Sequence, residues 1–334
     1  MKKKVLYYTF SLCCVSLLIG FTTRWWLGAF VFGVAVFPLI YKIADRMAKR
    51  SEGYANYFNG AAKFFRKIPF NLEVVNLGSN SGLHAFRYEN VKGMNWAIGP
   101  QSLLHDYNIL KNFFSYIKPG GYVVITLCPF SCLTTTYGKS HNLKYYTILH
   151  PATIPDFEES ERIRAFKIKT SPLKEIPFTL LYREIRIRIA NMKKRFVNPD
   201  VNFDKNADCY VNMWKTQFGI AELQDEVSPE HREEQDRRAA HLREMIGFCI
   251  ERNLKPILII PPVHAALARR LSGKFKNNYI NDFIRKANSA DVPFFDYMDD
   301  TRFHRDEYFS DSFLMNATGA GVFTKCFLQE AHII

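Results

Sequence analysis

The sequence predicts an α/β fold, a doubly wound parallel sheet behind an N-terminal membrane anchor. Three observations carry that expectation. Short apolar runs ending in Gly, Ser, Asn or Pro turns alternate with longer amphipathic runs over residues 71–331. The runs at 72–77 (LEVVNL), 122–127 (YVVITL) and 255–260 (KPILII) lack strict period-two alternation, as strands covered on both faces do. Helices between such strands imply right-handed crossovers and a parallel sheet.

The anchor rests on residues 1–42. Two apolar runs, 5–21 and 25–41, are separated by Thr22, Thr23 and Arg24. Each is near the short end of what crosses a hydrocarbon core of about 30 Å at about 1.5 Å per residue. Trp25 and Trp26 stand where an interfacial aromatic belt belongs. The formal net charge is +13, and the first 50 residues hold eight Lys/Arg against Asp45 alone, so this segment carries +7. Cations flank the pair of runs, which by the positive-inside rule gives a hairpin in the cell membrane with a cytoplasmic body. A signal peptide or signal anchor with the body outside is the rival reading, although no small-x-small cleavage pattern follows the first run.

A polar connector (43–70) leads to the α/β domain (71–331). Its first strand, 72–77, ends in the turn GSNSG at 78–82. A short strand at 93–98 ends at Gly99 and Pro100, and a helix over 101–117 is stopped by Pro119, Gly120 and Gly121. After the third strand (122–127) comes an insert, 133–229, that breaks the alternation. Within it, Phe178, Leu181, Ile185, Ile189, Met192 and Phe196 recur at three/four spacing among Arg183, Arg186, Arg188, Lys193, Lys194 and Arg195. That pattern fits either a helix packed on the body or an interfacial helix on anionic lipid or a membrane partner. A charged helix at 230–252, the strand 255–260, a helix at 265–288, a strand at 292–297 and a closing helix at 318–331 complete the chain. Ligands of such sheets bind beyond the carboxyl ends of the strands, where 78–82, 99–102, 128–135 and 261–264 lie.

Several chemistries are excluded. Seven cysteines, odd in number and scattered, form no disulfide framework, and Cys128 and Cys132 have no second pair to complete a metal site. The 78–82 turn lacks the lysine of a phosphate loop and the spacing of a dinucleotide fingerprint. No nucleic-acid motif accompanies the basic charge, which is mostly a membrane-flank signal. No cofactor and no metal are therefore expected.

Two of these segments resemble the SGNH/GDSL-type hydrolases. VVNLGSNSG at 74–82 is similar to that family's nucleophile block. FSDSFLMNATGA at 309–320 is similar to its closing Asp-x-x-His-Leu-Asn-x-x-Gly block, and NWAIG at 95–99 falls where its second block supplies an oxyanion-hole glycine. The resemblance covers about 72–331 outside the insert and implies a flavodoxin-like sheet. More narrowly, it resembles a membrane-anchored SGNH-like group encoded with bacterial surface-polysaccharide genes. The catalytic residues do not all carry over. The nucleophile position is Asn80, whose amide cannot become an acyl-accepting alkoxide, and the His position is Leu314. No counterpart of the family's third-block asparagine stands beside 128–131; Gly99 and Asp311 match.

The candidate catalytic set is Ser79, Asn80, Ser81 and Asp311, with Gly78, Gly99, Asn95, Gln101, His264 and Asn316 as candidate binding residues. His264, His304, His84 and His150 are candidate bases or structural histidines. Asp299 and Asp300 fit a solvated turn or a helix cap, and Asp311 fits a cap or a site residue. Two functions compete: a catalytically degenerate protein of bacterial surface-polysaccharide synthesis or modification that binds glycan or scaffolds a complex, or a carbohydrate acyl-ester hydrolase or O-acyltransferase with a displaced nucleophile. A histidine nitrogen within reach of the Ser79 or Ser81 hydroxyl separates them. Expected partners are membrane lipid, a glycan and a membrane protein.

Overall fold

The computed structural model describes residues 15, 25–133, 139–196, 201–223 and 226–334. The chain divides into two compact units, Met1–Phe58 with Glu158–Val197, and Asn59–Phe157 with Asn198–Ile334. The insert is thus shared between them.

The first unit is helical: α1 (Trp25–Ala48), α2 (Glu52–Tyr57), then α5 (Glu159–Thr170), α6 (Pro172–Glu175) and α7 (Pro177–Phe196). Ser51 caps α2 by accepting from Tyr54 N. The inner side of α7 holds it to α2: Leu180 is buried, Glu184 accepts from Gly53 N at 3.1 Å, and the Arg183 guanidinium lies over the Tyr57 ring. Its other side, Phe178, Leu181, Tyr182, Ile185, Ile189 and Met192, is exposed, Phe178 at 84%. Along α1, Phe30, Phe37, Ile40, Ile43 and Met47 are exposed as well. No helix among the described residues is long and apolar enough to cross a membrane, and the expected run 5–21 lies outside them except for Val15.

The second unit is an α/β structure around five parallel strands: β1 (Leu72–Leu77), β2 (Gly93–Asn95), β3 (Ile117–Thr126), β4 (Lys255–Ile260) and β5 (Phe294–Asp296), in the order β2-β1-β3-β4-β5. β1 and β4 are buried almost throughout because helices cover both faces. The intervening helices are α3 (Asn80–Ala85), α4 (Leu103–Phe113), α8 (Phe203–Phe218), α9 (Pro229–Glu251) and α10 (Ala265–Ala268), and α11 (Ala317–Glu330) closes the chain. On one face Val74, Val124, Ile257 and Ile259 pack with Phe323 and Phe327 of α11. α9 packs on β4, burying Gln235, Arg238, Ala239, Leu242, Met245, Ile246 and Cys249 at three/four spacing.

Three local expectations are corrected. The helix before β3 ends as a 3-10 turn (Phe114–Tyr116), and Pro119-Gly120-Gly121 lies inside β3. Leu72 pairs with Ile117 but Val74 pairs with Tyr122, so residues 118–121 bulge opposite Glu73. The expected helix at 265–288 is broken: Ser272 caps a new turn, and a π segment, Lys276–Asn281, precedes Asp282–Ala287.

Candidate functional site

The chain leaves β1 for β2 on one side and returns to β3 on the other, so the strand order reverses between β1 and β3. Crevices beyond the carboxyl ends at such a point are where parallel sheets hold ligands. A cleft of about 210 Å³ opens there. The β1 turn contributes Ser79, Asn80 and Ser81, the end of β3 contributes Thr126 and Cys128, and α9 contributes Arg238. Phe313 and Leu314 close it from the loop before α11.

Backbone geometry forces the turn. Gly78 has φ +127°, and a Cβ there would lie 2.8 Å from Thr126 O, so only glycine lets the turn approach β3. At Gly99 a Cβ would come within 1.7 Å of Asn80 Oδ1. The Asn80 amide therefore rests against the Gly99 backbone. Ser79 occupies the N-cap position of α3 without capping it; its Oγ accepts from Gln101 N at 3.0 Å.

A buried polar cluster supports the floor. Asp106 Oδ1 accepts from Gly78 N at 2.7 Å and from Gln101 Nε2. Gln101 Oε1 in turn accepts from Tyr145 OH at 3.2 Å. Burial pushes the Asp106 carboxyl up to about 7, against the pull of those hydrogen bonds and of the Arg238 and Lys144 charges. Lys144 Nζ donates to Gly99 O at 3.2 Å and to Pro100 O, and burial pushes it down to about 7 against the pull of Asp106. His105 stacks on Tyr145 at 4.1 Å with Nδ1 2.9 Å from Ser102 Oγ. Burial, then the Lys144 and Arg238 charges, push His105 down to about 4, leaving it neutral. Cys128 is held as a thiol by burial, and its Sγ accepts a hydrogen bond from the Ser131 hydroxyl at 3.4 Å.

Three residues lining this cleft each bury a polar atom that has no hydrogen-bond partner: Ser81 Oγ, Thr126 Oγ1 and Arg238 Nε. The same cleft has an aromatic wall. Tyr210, Trp214 and Phe218 lie along α8; Phe130 packs at 4.9 Å from Trp214 and 5.0 Å from Phe218, and Phe313 at 5.2 Å from Trp214. The loop before α11 is fixed to α8, since Asn206 Oδ1 accepts from Ser312 N at 2.7 Å and Tyr210 OH donates to Asp311 at 3.2 Å.

The residues expected from sequence separate into two groups. Ser79, Asn80, Ser81 and Gln101 line the cleft, and Gly78 and Gly99 shape it. Asp311 stands behind it, with Oδ1 accepting from Phe313 N and Leu314 N. Asn95 donates to the carbonyls of Gly82, Leu83 and Phe86 and accepts from Ala97 N, so its amide ties the end of α3 to β2. His264 caps α10 through Ala266 N, stacks on Phe203 and meets Asp306 at 2.9 Å. Asn316 caps α11 through Thr318 N and Gly319 N. Of the other candidates, His150 caps a 3-10 turn, Asp300 caps another, and His304 lies 3.3 Å from Asp299. Arg238, Asp106 and the α8 aromatics were not among the sequence candidates.

No imidazole hydrogen-bonds to the Ser79 or Ser81 hydroxyl among the described residues: Ser79 Oγ holds a backbone N–H and Ser81 Oγ has no partner. A serine without a base stays a weak nucleophile. Nor do three His, Cys, Asp or Glu side chains among the described residues converge as metal ligands. The cleft combines aromatic rings with residues that carry unpaired hydrogen-bonding atoms, an arrangement suited to holding a small polar molecule with an apolar face. No protein-family model matches the chain, and no curated protein matches it.

Proposed function

We propose that this chain is a membrane-anchored, SGNH-like protein of bacterial surface-polysaccharide synthesis or modification that binds a sugar residue without transforming it. The flavodoxin-like strand order β2-β1-β3-β4-β5 supports the architecture. One observation carries the functional reading. Asn80 and Leu314, at the positions where the resembling family places its nucleophile and base, line the same cleft, and neither can do acyl chemistry. What remains there is recognition chemistry. The aromatic wall fits the C–H face of a sugar ring, and the Ser81 and Thr126 hydroxyls fit its hydroxyl groups. Sites for drug-sized ligands measure about 300–1,000 Å³; a cleft of about 210 Å³ suits one ring. Membrane lipid is the proposed anchor partner, supported by the exposed apolar residues of α1 and α7.

The test is titration of the purified full chain in detergent with mono- and oligosaccharides, alongside exposure to a fluorophosphonate. Saturable sugar binding that drops at least tenfold in Trp214→Ala, with no covalent adduct, is the expected result. Covalent labelling of Ser81 or Ser79, or turnover of an acyl ester, overturns it in favour of the hydrolase or O-acyltransferase reading.

A further inference from the structure

Arg238 sits where its helix should present an aliphatic side chain. It belongs to the inward stripe of α9, between Gln235 and Leu242 and beside Ala239, and is only 8% exposed. Its Nη2 makes one long contact, 3.4 Å to Leu133 O, and its Nε has no partner. No carboxylate among the described residues lies within ion-pair distance of it. Glu234 and Asp106 act on it only from further away. In the cleft, Asp106 Oδ1 is already committed to Gly78 N and Gln101 Nε2. Burying an unpaired cation is strongly unfavourable, so a position that keeps one is built to receive an anion.

We infer that Arg238 is the anion-reading residue of this cleft, and that the sugar it takes carries a carboxylate. The inference rests on the sugar-binding reading above and specifies its substrate class as an acidic sugar, of the uronate type. The donor geometry selects the anion. The Nε–Nη2 edge of a guanidinium matches the two oxygens of a planar carboxylate with parallel hydrogen bonds. A phosphate dianion calls for a second available cation, and the other buried cation beside the cleft, Lys144, has its ammonium on the Gly99 and Pro100 carbonyls. Ser81 Oγ and Thr126 Oγ1 then take the ring hydroxyls while the ring face lies on the aromatic wall.

The experiment titrates the full chain in detergent with glucuronate, galacturonate, glucose, galactose and glucose 6-phosphate, read by calorimetry and tryptophan fluorescence. A uronate should bind at least tenfold tighter than its neutral hexose. Arg238→Gln should bring the uronate to the level of the neutral sugar; Arg238→Lys should recover only part of the preference. Equal binding of uronate and hexose by the wild-type chain overturns the anion inference and leaves sugar binding standing, whether or not the variants fold. Preference for glucose 6-phosphate overturns the choice of carboxylate. Binding of none of the five overturns the sugar-binding reading itself and this inference with it.

Discussion

Replacing Asp106 by asparagine should remove most of a pH dependence that this one buried carboxyl imposes on stability. Asp106 is 2% exposed, and burial raises it from 3.8 to about 7. In the unfolded chain the group titrates near 3.8. Between pH 3.8 and pH 7 the folded state therefore keeps a proton that the unfolded state has lost. The stability it confers is complete below pH 3.8 and is lost as pH rises through 7. At about 1.36 kcal/mol per pH unit, the loss is about 4 kcal/mol, a large part of a typical total of about 5–15 kcal/mol. Lys144 works with the opposite sign and in another window. Its amine falls from 10.5 to about 7, so the unfolded state binds more protons between pH 7 and 10.5, and stability from this group rises there. The substituted amide would keep an oxygen for Gly78 N and Gln101 Nε2 and would place N–H donors where the acid has its proton, without titrating. The assay is urea unfolding of both proteins, followed by circular dichroism, from about pH 4 to about pH 8. The stability difference should move in favour of Asp106→Asn by about 4 kcal/mol across that range. A difference that stays flat with pH would refute the reasoning, because it would mean the carboxyl titrates alike in both states.

Three further outcomes are expected. Gly78→Ala combines a left-handed φ with a Cβ 2.8 Å from Thr126 O; strain of about 1–3 kcal/mol and overpacking of about 1–3 kcal/mol should together lower stability by about 2–6 kcal/mol in urea unfolding. A loss below about 1 kcal/mol would mean that β1 and β3 separate easily. Leu314→His alone should give no esterase activity, whereas Asn80→Ser with Leu314→His should hydrolyse a small acyl ester weakly, since both positions line one cleft and triad members act as a unit; a folded but inert double variant would count against hydrolase-like turn geometry. Spin labels at Leu181→Cys and Ile185→Cys in the chain reconstituted into anionic vesicles should collide with dissolved oxygen more than with an aqueous nickel complex, and a label at Glu184→Cys should not; equal aqueous exposure at all three would remove α7 from the lipid interface.

The parts of this fold that can be read from the chain are those where burial leaves a monotonous signal. β4 is found at its observed bounds and β1 likewise, because strands covered on both faces are apolar nearly without interruption. The start of β3 is hidden because Pro119, Gly120 and Gly121 read as a break, when the pairing of Leu72 with Ile117 makes them a bulge. The β1 turn announces itself through glycines and small polar residues, and it does line the cleft. Arg238 and Asp106 do not announce themselves, since each lies on a helix rich in polar residues and only the three-dimensional packing says which face is inward. A trace existed: positions 235, 239, 242 and 246 form an inward stripe, and Arg238 falls within it. Tyr210, Trp214 and Phe218 at i, i+4 and i+8 left a similar trace on α8.

The turn after β1 also separates what its residues do for packing from what they do for chemistry. Gly78 is required because β1 and β3 approach closely at Thr126, and Gly99 because the Asn80 side chain lies on its backbone. The first requirement holds whether or not a serine stands at position 80, whereas the second comes from the Asn80 amide itself. A glycine-rich turn of this kind therefore reports the apposition of two strands and a loop, and says little about catalysis. The chemistry is decided by the side chains that enter the space so formed. Here they are an amide, a leucine, hydroxyls without a base, a thiol held protonated by burial and a guanidinium without a counter-charge. Only the last is strongly unfavourable to leave as it stands, since a buried cation without an anion is a larger electrostatic penalty than an unpaired hydroxyl. The side chain that most demands a ligand is thus Arg238, on a helix that carries none of the motif residues.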